Sequence, residues 1–202
     1  MSSKLTWNNV HTFSTFSYKC GHCGTSLSSE KGYFATEPGY SGVRAQILIC
    51  HKCTRPTFVD DDKSQHPGSL FGDSVKDIED QSVQDIYTEA RKAYGASAYT
   101  AAVLCCRKLL MHIAVSKGAP EGKNFVSYVN YLGEHHFVPP GALDWVDHIR
   151  EKGNEANHEI CISSKDDAEE LISFSEMLLK VIFEFPASVK KRIKQKKSNK
   201  AE

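Results

Sequence analysis

Two sets of side chains in this chain have the types and spacing to do chemistry. The first is a pair of C-x-x-C turns, Cys20-Gly-His-Cys23 and Cys50-His-Lys-Cys53. Each turn can place two thiolates on one side of a tight bend, and two such turns brought together make a tetrahedral four-sulfur site. Thiolates favour zinc among the available metals. Four sulfur ligands leave no open position for a substrate water, so the expected role of the zinc is structural. Gly21 and Gly24 let the backbone curl so that its N–H groups face the sulfurs. His22 and His51 lie between the ligands and are expected to point outward.

The second set is Arg150, Asn154 and His158, spaced i, i+4, i+8. On one continuous helix they share a face. A fixed cation, an amide and an imidazole suit a phosphodiester. Arg clamps a phosphate and stabilises developing charge. His moves a proton near neutral pH. Asn orients the ribose or the imidazole. No metal is needed if the ribose 2′-OH attacks. The bland alternative is that Asn154 and His158 cap a helix end and that the polar face is simply solvated.

The elements that must position these residues follow from periodicity. Val10 to Tyr18 and Val43 to Ile49 read as strands, punctuated by Gly32, Pro38, Gly39 and Gly42, and a hairpin around residues 31–47 would fill the gap between the cysteine pairs. Asp60 to Ser74 has little periodicity. After it, helical spacing dominates. Val83, Ile86, Tyr87, Ala90 and Tyr94 mark one helix, and Ala98, Ala101, Ala102, Cys105, Leu109 and Ile113 a second. Phe125, Val129 and Leu132 mark a third, and Leu143, Val146, Ile149 and Arg150 a fourth. The last runs from Ala168 through Leu171, Ile172, Leu178 and Leu179 to Ile182, with Ser164 and Asp167 as a capping box and Pro186 as its stop. The expected fold is mainly α: a bundle of about five helices behind a small β-rich zinc ribbon. The expected boundaries are 1–66 for the ribbon, 67–75 for a linker, 76–187 for the helical domain and 188–202 for a disordered basic tail.

Composition agrees with that division. The chain has 202 residues, 40% hydrophobic and 25% charged, with a formal net charge of +0. That supplies one sizeable apolar core, so a second small module needs a staple such as a metal. Asp60, Asp61 and Asp62 begin an acidic stretch, while Lys190, Lys191, Arg192, Lys194, Lys196 and Lys197 crowd the other end. The basic run can hold phosphates without choosing a sequence. No secretory signal is visible in residues 1–19, and no stretch approaches the ~20 apolar residues that cross a bilayer, so a cytoplasmic protein without a membrane partner is expected. Seven cysteines, four of them in two close pairs, point to metal rather than disulfides. Cys105, Cys106 and Cys161 lack ligand spacing and read as small buried apolar residues.

Val83 to Pro186 resembles domain-of-unknown-function family 4145. The matching features run in order: Tyr87 to Ala90, Ala96 to Leu110 with Arg107, Lys117-Gly118-Ala119, Ile149-Arg150, Gly153-Asn154 to His158, and Asp167-Ala168 before a Leu-rich helix. A zinc ribbon ahead of this domain is a common arrangement in that family. The family in turn resembles the HEPN superfamily of helical bundles, many of which are metal-independent ribonucleases of toxin–antitoxin or phage-defence systems. The resemblance implies an HEPN-like homodimer that binds or cleaves RNA, with Asn154 and His158 at the motif's polar and His positions. Gly153 stands where the motif has Arg, so Arg150, one turn earlier, or Arg107 on another helix would supply the cation. Inactive members act as binding modules, which leaves a second expectation: a regulatory partner docked on a defence or restriction nuclease.

Overall fold

Thr, Ser, Tyr and Phe crowd the first third of the chain, and they pair as a meander. The computed structural model describes residues 8–39, 41–142, 144–146, 148, 149 and 162–198. It falls into two compact units, Met1–Phe71 with Tyr94–Ser97, and Gly72–Ala93 with Ala98–Glu202.

In the first unit, β1 (His11–Lys19), β2 (Ser26–Thr36), β3 (Val43–Ile49), β4 (Pro56–Val59) and β5 (Gln65–His66) form one antiparallel sheet in sequence order. Lys19 pairs with Ser26 and Ile49 with Pro56, so each C-x-x-C segment is the turn of a hairpin. In a meander the β1–β2 and β3–β4 turns emerge at the same end of the sheet. The β2–β3 hairpin, with Gly32 opposite Leu48, fills the gap between the cysteine pairs as the spacing predicts. Side-chain alternation does the rest. Leu48, Thr57 and Val59 are buried while Phe58, between the last two, is exposed. Tyr18, Leu27, Leu48 and Val59 pack with Cys20 and Cys50 into a small core flanked by Phe16, Cys23 and Cys53.

The second unit is helical. Its elements are α1 (Gln81–Gly95, which belongs to this unit up to Ala93), α2 (Tyr99–Ser116), α3 (Phe125–Glu134), α4 (Lys165–Leu179) and α5 (Phe185–Ser198). A 3₁₀ turn spans Pro140–Ala142, and residues 144–146, 148 and 149 are helical. The start signal of α4 acts as expected, and two further caps join it. Ser164 accepts from the Asp167 N–H, and the Asp167 carboxylate accepts from the Ser164 N–H. Asn124 caps α3 through the Ser127 N–H, and Asp80 accepts from the Ser82 N–H at 2.8 Å ahead of α1. α2 packs on α3 and α4. Tyr87, Leu109, Leu110, Ile113, Val129, Leu132, Ile172, Phe174, Leu178 and Leu179 are fully buried. By length and composition alone α2, at 18 residues, is a marginal match to a membrane span. Its apolar content is the share a core helix carries: Ala102, Val103, Cys106, Leu109, Leu110 and Ile113 are all buried.

Two expectations are corrected. Part of the segment 67–75, expected to be a linker, is a packed strap of the helical unit. The Asp73 N–H donates to Glu176 at 2.7 Å and the Lys76 N–H to Glu184 at 2.8 Å. The Tyr87 hydroxyl donates to the Asp73 carbonyl and Arg91 to the Gly72 carbonyl. Val75 is 3% exposed. A backbone with its polar groups so occupied is not a tether. Second, Pro186 does not end the last helix, and residues 188–198 of the expected disordered tail are helical. α4 runs through a π-helical turn, Lys180–Glu184, into α5. A proline ring clashes with the carbonyl four residues back. For Pro186 that residue is Ile182, inside the wider π turn, where the ring has room.

Candidate metal centre

The two hairpin turns repeat one local design. The Cys20 N–H donates to the Thr25 carbonyl and the Gly24 N–H to the Cys20 carbonyl, at 2.9 and 2.8 Å. The Cys50 N–H donates to the Arg55 carbonyl and the Thr54 N–H to the Cys50 carbonyl, at 3.1 and 2.8 Å. The fourth residue after each first cysteine has a left-handed backbone, Gly24 at φ 69° and Thr54 at φ 57°. Gly24 adopts it freely, whereas a β-branched residue is strained there. Gly21 has another role than curling the turn. A Cβ at Gly21 would stand 2.2 Å from the Pro67 carbonyl oxygen, so only glycine fits this approach.

These turns bring all four sulfurs within 4.8 Å of one another. Cys20 Sγ lies 3.8 Å from Cys53 Sγ, and Cys23 Sγ 3.7 Å from Cys50 Sγ. A sulfur tetrahedron around a metal with bonds of about 2.3 Å has edges of about 3.8 Å. The residues therefore fit a four-coordinate metal ion held by two cysteines from each hairpin.

The electrostatics agree with a cation in this place. Burial pushes the Cys20 thiol up, against the lowering effect of the Cys23 and His22 N–H groups. Burial pushes Cys53 up to about 12, although the Arg55 N–H points at its sulfur. Burial also raises Cys23, but hydrogen bonds from the Thr25 hydroxyl and N–H and from the neighbouring cysteines outweigh it and bring Cys23 down to about 7. Burial first, then the four cysteines, push the Tyr18 hydroxyl up as well. Thiolates crowded here without a counter-charge are costly, and a dication removes that cost.

His22 does not ligate through Nε2. That nitrogen donates to the Pro56 carbonyl at 2.9 Å, which ties the first hairpin turn to the start of β4. His51 is exposed. Neither the His22 bridge nor the Thr25 hydroxyl, 3.4 Å from Cys23 Sγ, was foreseen from sequence. A hydroxyl residue two positions after a C-x-x-C is the one available signal.

Arg150, Asn154 and His158 lie outside the described residues, as do Gly153 and Cys161. The helical residues just before them are anchored. Val146 and Ile149 are buried, Trp145 meets the Phe174 ring edge-on, and His148 pairs with Glu170. The Arg107 guanidinium lies 4.5 Å over the Phe125 ring, and burial lowers its pKa. Cys106 is fully buried, and burial pushes its thiol up to about 12, so it stays protonated and inert.

No curated protein and no solved structure matches the chain. A family model does, over residues 88–196, from within α1 nearly to the end of α5. That is more than half of the 202 residues, and the chain belongs to the family described as Domain of unknown function (DUF4145).

Proposed function

We propose that this chain is a homodimeric, cytoplasmic RNA-binding protein of HEPN-like fold that cleaves RNA without a catalytic metal, in a phage-defence or toxin-type system. The observation that carries the reading is the spacing of Arg150, Asn154 and His158, which falls inside the segment matched by the family. In the reaction the ribose 2′-oxygen attacks the adjacent phosphorus and the bond to the 5′-oxygen breaks. His158 takes the 2′-OH proton and returns one to the leaving oxygen. Arg150 stabilises the charge on the phosphoryl oxygens, and Asn154 orients the ribose or the imidazole. The products are a 2′,3′-cyclic phosphate and a 5′-OH end.

The metal is zinc in this reading, and its role is to hold the two hairpins together. The sulfur–sulfur edges match zinc–thiolate bonds, and a closed four-sulfur shell leaves no position for substrate. A tetrahedral sulfur set also accommodates iron. Metal analysis of protein purified under reducing conditions separates the two, and one equivalent of zinc per chain is expected.

The first test is cleavage of RNA by the full chain in EDTA, with zinc content measured in the same sample. Cleavage that persists while added divalent ions are chelated, and that falls at least a hundredfold in His158→Ala, supports the enzyme. Gly153 favours a second reading, because it occupies the position at which the motif carries Arg. There the domain is a non-catalytic regulatory module docked on a defence or restriction nuclease. Absence of turnover on every RNA tested, with function in the host unaffected by His158→Ala, would select it.

A further inference from the structure

Helix α5 is strongly basic and carries a narrow apolar line that faces outward. Phe185, Val189 and Ile193 recur every fourth residue and are 54%, 55% and 49% exposed. The one ion pair between α5 and the rest of its unit, among the described residues, is Lys191 with Asp77. Val189 and Ile193 each stand two residues from Lys191, about 200° around the helix. The apolar stripe is therefore turned away from the side that holds on to the body. Lys190, Arg192, Lys194 and Lys196 are exposed around it, and no acidic residue occurs from Phe185 to Ser198. Among the described elements α5 packs chiefly on the π-helical turn, and Val189 and Ile193 line an open concavity with Arg192, Gln195 and Lys196.

The occupant of such a face must offer apolar contact and negative charge together. A second copy of α5 would set one basic helix against another. A nucleic acid would neutralise the lysines and leave Phe185, Val189 and Ile193 in water. An anionic lipid surface meets both demands: acyl chains take the stripe and lipid phosphates take the cations. We propose that α5 docks this protein on anionic membranes, lying in the interface with Phe185, Val189 and Ile193 at the headgroup–acyl boundary and Lys190, Arg192, Lys194 and Lys196 on lipid phosphates. This lies on the bilayer and does not cross it. The inference is independent of RNA cleavage.

Co-sedimentation of the full chain with vesicles tests it. We expect binding to vesicles of phosphatidylglycerol and phosphatidylcholine at least tenfold tighter than to phosphatidylcholine alone. Val189→Asn with Ile193→Asn should weaken it at least tenfold again. Both side chains are exposed, so the double variant keeps the fold, which circular dichroism checks. Raising salt should weaken binding of the unaltered chain but not abolish it, because the apolar contact remains. Absence of sedimentation with anionic vesicles overturns the proposal. So does equal binding by the double variant, which would reduce the interaction to charge alone. Single-stranded RNA binding that needs the α5 lysines, with no vesicle binding, would assign the helix to nucleic acid instead and also overturn it.

Discussion

The sheet unit and the helical unit hold themselves together by different means. In the sheet unit the buried cluster is Tyr18, Cys20, Leu27, Leu48, Cys50 and Val59, and two of those six are candidate metal ligands. In the helical unit the fully buried set includes Tyr87, Phe174, Leu109, Leu110, Ile113, Leu132, Ile172, Leu178 and Leu179, none of them a ligand. Each fully buried aliphatic or aromatic side chain contributes about 1.5–3 kcal/mol. The helices can meet the entropy of folding from this source, whereas the sheet has too few such residues. A small sheet with thiols at its core has a place for a metal staple, while a bundle with a large apolar core needs none.

The largest break should come from the metal. Cys50→Ser, or exhaustive chelation, removes a binding energy of order 10 kcal/mol that is also folding energy. We expect amide exchange protection across β1 to β4 to collapse while the helical circular dichroism persists. Retained protection in a metal-free sample would sink the staple account of the sheet. Next comes the apolar core of the other unit. Phe174→Ala, which removes a ring packed against Trp145, should cost about 3–5 kcal/mol of helical stability. Metal content per chain should not change, and a matching loss of metal would show that the two units do not behave separately. A smaller effect is expected at the capping box. Ser164→Ala loses the bond to the Asp167 N–H and should cost about 1 kcal/mol, read from denaturant unfolding of the helices. The smallest effect separates the two hairpin turns from each other. Thr54→Gly relieves a left-handed β-branched residue and should stabilise the metal-loaded sheet by about 0.5–1 kcal/mol, while Gly24→Thr should destabilise it. Equal and negligible effects at both positions would mean that the turns are not strained.

Much of this was legible in the residues. The cysteine spacing places two ligands on each turn whatever the rest of the chain does, and strand alternation supplies the hairpin between them. Ser164 and Asp167 announce a helix start because a capping box is a local device. Most of the missed features depend on partners far along the chain. Gly21 is required by the Pro67 carbonyl, and the Gly72–Asp77 strap by Glu176, Glu184, Tyr87 and Arg91. Pro186 reads as a helix stop unless the turn before it is known to be wide. Arg150, Asn154 and His158 are read from spacing and family membership alone, since they lie outside the described residues.

The π-helical turn at Lys180–Glu184 acts as a phase shifter. Leu171, Ser175 and Leu178 form one buried line along α4, and at ordinary helical spacing that line would run on through Ile182, Phe185, Val189 and Ile193. One added residue in a turn advances the chain without advancing the face, rotating everything downstream by about 100°. The same hydrophobic rhythm thus serves the interior before the turn and the exterior after it. Removing a single residue there would turn the π turn into an α turn and leave the stripe on the side it now occupies, whereas an α turn formed by the full sequence would swing the stripe toward the side that α4 buries.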